Sequence, residues 1–170
     1  STLTHHALLE HPRAVIPKPE KPDFESMAQT DSLIYVFGSG STEKRNTLVI
    51  LDRNSKKIIK TQDLTNLYLS MQNFAGISGQ DFNIEGVAYD GSNWYFFQRG
   101  NGKKGKNGIF TVQATDFEVE FNLVYNEIKL PKIKGTRAGF TDAVFAADDF
   151  AREMNVGLAA GAVHVIDNRG

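Results

Sequence analysis

The stretch Asn83-Ile84-Glu85-Gly86-Val87-Ala88-Tyr89-Asp90-Gly91-Ser92-Asn93-Trp94-Tyr95-Phe96-Phe97-Gln98-Arg99-Gly100-Asn101 decides the fold. It reads as a strand, a tight turn at Asp90-Gly91, a second strand and a polar, Gly-rich loop. Sixty residues earlier the same pattern stands as Asp23-Phe24-Glu25-Ser26-Met27-Ala28, then Ser32-Leu33-Ile34-Tyr35-Val36-Phe37, then Gly38-Ser39-Gly40. In both copies a Glu follows an apolar residue and precedes a small one. An aromatic-rich strand then runs into a loop that carries an Arg, Arg45 in the first copy and Arg99 in the second. A long-period internal repeat is the signature of a repeat architecture.

Working outward, each copy extends to four strands. In the first, Thr47–Asp52 is a third strand and Lys57–Thr61 a polar, edge-like fourth. In the second, Ile109–Val112 and a long outer strand near Glu118–Tyr125 follow, the latter alternating Val119, Phe121 and Leu123 with polar residues. Between the copies, Leu64, Leu67, Tyr68 and Met71 recur at helical spacing and predict a short helical turn that Asp63 could cap. Phe74 to Gln80 reads as loop. A third copy begins at Gly139-Phe140-Thr141-Asp142-Ala143, and its Val163–Asn168 aligns with Leu48–Arg53. Residues 1–22 form an extended, proline-rich leader, within which Arg13–Ile16 could be a short edge strand.

The expected fold is therefore all-β: a propeller-like repeat of four-stranded antiparallel blades over residues 23–170, at about 23–64, 83–130 and 139–170. Blades bury their faces only by stacking on neighbours. Three units do not close a ring of four to eight, so the expected partners are a second copy of the chain or a missing propeller half. A single barrel or sandwich of about ten strands is the competing architecture.

Composition narrows the classes of function. The 170 residues carry 19 Lys and Arg against 20 Asp and Glu, which gives no broad basic footprint for nucleic acid. Lys103, Lys104 and Lys106 form the densest basic group and read as a solvated loop in preference to a phosphate-binding one. There is no cysteine, which excludes disulfide and thiolate chemistry. No apolar run is long enough to span a bilayer. A start at Ser1 reads as trimmed, and a periplasmic or secreted location is favoured over the cytoplasm.

The repeated segments, together with Tyr35-Val36-Phe37-Gly38-Ser39-Gly40-Ser41 and Gln98-Arg99-Gly100-Asn101, resemble an uncharacterised bacterial family of propeller proteins common in Bacteroidetes. That family is similar in style to esterase-like phytases and to the six-bladed regucalcin/gluconolactonase type. The resemblance covers about residues 20–150 and implies a propeller without naming a reaction. It also implies a full length about twice this chain's.

In such a fold the inner strands line a channel, so Glu25, Glu85 and Asp142 (with Thr141 the strictly aligned position) would converge at its mouth. A ring of hard oxygen ligands suits Ca²⁺ or Mg²⁺. The regucalcin type uses a Glu in a Glu-Gly context as a metal ligand, so the resemblance implies that role first for Glu85 beside Gly86. The simpler and preferred reading is that each Glu bonds neighbouring backbone. Arg45 and Arg99, with Asn101 and Asn107, could hold a small anionic ligand such as a phosphate ester. The preferred reading pairs Arg99 with Glu85 and Arg45 with Glu25.

The remaining signals are weaker. The leader histidines His5, His6 and His11 read as exposed and inert. Ser39 and Ser41 read as a flexible turn, Trp94 and Tyr95 as packing between blades, and His164 as structural. Two functions follow from different classes. One is a non-catalytic ligand- or protein-binding propeller. The other is a divalent-metal-dependent hydrolase of a phosphate ester or lactone, the metal activating water.

Overall fold

A computed structural model describes residues 5–9, 13, 15–101 and 105–143. Alternating apolar residues between turn signals produce a first antiparallel sheet: β1 (Phe24–Gln29), β2 (Leu33–Gly38), β3 (Thr47–Asp52) and β4 (Ile58–Asp63), in that spatial order. A helix, α1 (Thr65–Ala75), connects it to a second sheet of the same order: β5 (Ile84–Tyr89), β6 (Trp94–Gln98), β7 (Gly108–Asp116) and β8 (Glu120–Glu127). A small hairpin follows, β9 (Lys132–Ile133) and β10 (Thr136–Arg137). Lys134 and Gly135 both hold positive φ in its two-residue turn, as a primed hairpin turn requires.

The two sheets share one register. Phe24 pairs with Gly38 and Ser26 with Phe37, leaving Glu25 as a bulge; Ile84 pairs with Gln98 and Gly86 with Phe97, leaving Glu85 as the same bulge. Phe37 faces Leu48 and Phe97 faces Ile109, so the correspondence extends into the third strands.

Packing follows that correspondence. Ala28, Phe37 and Leu48 of the first sheet pack on Val87, Trp94, Phe96, Phe110 and Val112 of the second, with Leu67, Tyr68 and Met71 of α1 joining them. Their counterparts Ala88, Phe97 and Ile109 turn to the opposite side and pack on Phe140 and Ala143. Each sheet thus lays one face on what comes next in the chain, which is an all-β, propeller-like stacking of blades. It is not a single closed barrel, because the described strands fall into separate sheets. On the outer side of the first sheet, Val36, Val49 and Leu51 form a smaller cluster against which Leu8 packs.

Several local expectations are corrected. The helix runs past Met71 to Ala75, so Phe74 and Ala75 are not loop; Gly76, in the left-handed region, ends it, and Ile77 N–H donates to Gln72 C=O. Asp63 is not its cap: Leu64 holds the N-cap position with no side-chain cap bond, while Asp63 ends β4 and accepts from the Thr65 N–H at 2.9 Å. Val119 lies in the β7–β8 turn and is exposed, so the buried alternation starts only at Phe121. In the leader, Arg13, Val15 and Ile16 form no strand; a single helical turn occupies Lys18–Glu20 instead. The expected third unit is described only to Ala143, so His164 and the strand around it lie outside the described residues, as does His11.

Candidate functional site

A bulge re-aims the side chain of the extra residue and is common beside functional sites. Here the two bulges place Glu25 and Glu85 at the same end of two neighbouring inner strands. Three backbone hydrogen bonds hold that end in place. Ser39 N–H donates to Asp23 C=O and Arg99 N–H to Asn83 C=O, closing equivalent loops, while Ile84 N–H donates to Ser39 C=O and ties the second unit to the first.

The charged side chains at this end are mostly satisfied. Arg45 donates from Nη1 to Asp23 Oδ2 at 2.6 Å and to Ser41 Oγ at 2.8 Å, and its side chain is only 17% exposed. Ser39 is fully buried and donates to the same Asp23 oxygen at 3.2 Å. Arg99 donates to Glu85 Oε1 at 3.1 Å, and Asn83 Nδ2 donates to that oxygen at 2.5 Å. Arg99 remains 45% exposed, whereas Glu85 is 11% exposed.

The expected Arg99–Glu85 pair is therefore formed, and the expected Arg45–Glu25 pair is not. Asp23 takes Arg45 because the two guanidiniums leave from different positions. Arg99 stands two residues after Phe97, where the first unit has Ser39; Arg45 stands three before Leu48, where the second unit has Lys106. Ser39 and Ser41 are not a flexible turn, since Asp23 and Arg45 fix both hydroxyls.

Glu25 consequently differs from its counterpart. Among the described residues it has neither an Arg nor an Asn bonded to it. Partial burial of its carboxyl raises its pKa above the ordinary value, the neighbouring charges of Asp23 and Glu85 raise it further, and Arg45 and Arg99 partly offset this. Among the described residues coupled to Glu25, itself included, three carboxylates stand against two guanidiniums.

The other expected site residues are placed as follows. Asn107 is buried: its Oδ1 accepts from Gly100 N–H at 2.9 Å and its Nδ2 donates to Ala138 C=O at 3.1 Å. Those bonds tie Gly100 and Asn107 to the chain leading into residues 139–143 and use one donor and one acceptor of the amide. Asn101 is half-buried in the same loop. Asp142 accepts from Ala143 N–H at 2.7 Å.

A divalent cation does not fit this arrangement. Among the described residues no three His, Asp or Glu side chains gather as a metal-binding group, Glu25, Glu85 and Asp142 included. The guanidiniums explain why: they already occupy Asp23 and Glu85 and would repel a cation brought between them. The anionic ligand expected at Arg45 meets the converse difficulty, because that arginine is committed to Asp23. Sequence reading missed Asp23 and Asn83. Their signal was available, since both stand two residues before the repeated Glu.

Residues 1–151 match the family of unknown function DUF6929, and the chain belongs to that family. No curated protein matches it. Among the described residues no helix is long and apolar enough to cross a membrane.

Proposed function

We propose that this chain is a non-catalytic binding domain of the β-propeller kind, taking its ligand at the end where β1 and β5 begin. One observation carries the reading: Glu25 sits at the position of Glu85 but lacks its partners, beside an Arg99 that is only half covered. Glu25 offers an acceptor, and the exposed part of Arg99 offers donors. Such a pair suits a small polar ligand or partner segment that brings a positive or hydroxyl-bearing group to Glu25. The excess of carboxylates over guanidiniums around Glu25 favours that polarity over a purely anionic ligand.

The reading is tested by thermal-shift titration with ethanolamine, putrescine, L-arginine and glucose. A saturable shift in the parent that is lost in Glu25→Gln and weakened in Arg99→Ala is the expected result. Shifts that are the same in all three proteins would defeat it. Ca²⁺ and Mg²⁺ titrations belong beside these. Saturable Ca²⁺ binding abolished by Glu85→Gln would restore the metal-dependent hydrolase reading, in which Arg99 must first leave Glu85.

The same reading expects a second copy of the chain against the outer face of the first sheet. Met27 is 60% exposed there, whereas its counterpart Val87, covered by the first sheet, is 1% exposed.

A further inference from the structure

With both arginines committed to carboxylates, the cations that lack a counter-ion lie elsewhere. Residues 105–107 and the connection after β8 line a pocket of about 320 Å³ whose wall includes Lys106, Asn107, Glu127, Ile128, Lys129 and Lys132. Three lysines and one glutamate line it, in a chain whose overall charge is −1. Lys129 and Lys132 are exposed and have no carboxylate partner among the described residues.

The surrounding backbone is fixed. Ile128 N–H donates to Asn107 C=O at 2.8 Å, and Asn107 grips Gly100 and Ala138 with its side chain. Lys106 donates to Ala75 C=O at 2.9 Å, which anchors the loop on the end of α1 and holds its ammonium group in position. Lys106, at the end of the lysine loop, thus stands against a second lysine-bearing segment from more than twenty residues downstream.

We infer that this pocket binds a small phosphorylated molecule. The ammonium groups of Lys129 and Lys132, which lack carboxylate partners among the described residues, act as point charges toward a multiply charged oxyanion and do not require the planar geometry of an arginine fork. The volume lies in the lower part of the range for small-ligand sites. The apolar wall at Ile128 and Leu130 gives the remainder of the molecule a surface to rest on. The phosphate could belong to a soluble molecule or to a phosphomonoester lipid headgroup, and the recognising chemistry is the same for both.

Isothermal titration with pyrophosphate at low and at 150 mM salt tests the inference, alongside sedimentation with phosphatidylcholine vesicles with and without phosphatidic acid. The expected result is saturable binding that weakens with salt and falls at least tenfold in Lys129→Ala/Lys132→Ala. The double variant Lys44→Ala/Lys57→Ala removes the same charge from exposed sites elsewhere and should bind like the parent. All four lysines are surface residues, so circular dichroism should show both variants folded. Binding of pyrophosphate alone identifies a soluble ligand, and binding of the acidic vesicles alone identifies a lipid headgroup. No saturable binding to either probe, or equal losses in both double variants, overturns the inference.

Discussion

Glu25 and Glu85 occupy one backbone position twice and have different electrostatic surroundings. A carboxyl whose folded pKa is raised holds its proton more tightly in the folded state than in the unfolded one. Its contribution to stability is therefore complete below the unfolded pKa and is lost as pH rises through the folded value. At pH 7 ionised Glu25 is a cost, so Glu25→Gln should raise the thermal midpoint there, and the gain should vanish below about pH 4, where both side chains are neutral. A midpoint at pH 7 no higher than the parent's would refute this. Among the arginines, burial sets the order. Arg45→Ala strands Asp23 in a mostly covered site and should cost about 2–3 kcal/mol. Arg99→Ala leaves Glu85 its bond from Asn83 and, the arginine being half exposed, should cost about 1 kcal/mol or less. Urea denaturation of both variants checks the order.

At the scale of elements, two glycines separate backbone strain from steric contact. Gly76 ends α1 at positive φ, and a Cβ added there would meet nothing closer than Lys106 Nζ at 3.9 Å. Gly76→Ala should thus cost about 1 kcal/mol, from backbone strain alone. At Gly86 a Cβ would lie 2.7 Å from the Ala143 nitrogen and 2.8 Å from its Cβ. Gly86→Ala must push residues 142–143 off β5, so it should cost more than Gly76→Ala and speed amide exchange at Ala143. Equal costs would show that the contact yields easily. The strands and their order were legible because Tyr35/Phe37 and Tyr95/Phe97 alternate with residues of the opposite face. The end of α1 was not, since Gln72, Asn73 and exposed Phe74 break the apolar spacing before Ala75 restores it. The partner of Arg45 was also hidden. Loop arginines at different register positions reach different carboxylates, and the spacing of Arg45 from Gly38 and of Arg99 from Gln98 says nothing of that.

For the whole molecule, stability rests on the contact between the two sheets. Phe37 is fully buried there, edge-on to Trp94, Phe96 and Phe117. Phe37→Ala should cost about 3–5 kcal/mol and loosen both sheets together, visible as loss of near-ultraviolet dichroism from Trp94. On the outer side of the first sheet, the proposed second copy predicts a light-scattering mass of a dimer or larger, returned to a monomer by Met27→Glu. A monomeric parent would remove that part of the proposal. The shared register of the two units, down to the bulge, has a consequence for heredity. A misaligned recombination between the two coding stretches would rejoin backbone of matching geometry, inner strand to inner strand and loop to loop. Such a lineage can gain or lose whole blades in one step, while Asp23, Glu25, Asn83 and Glu85, all near the seam, are recombined into new combinations of charge.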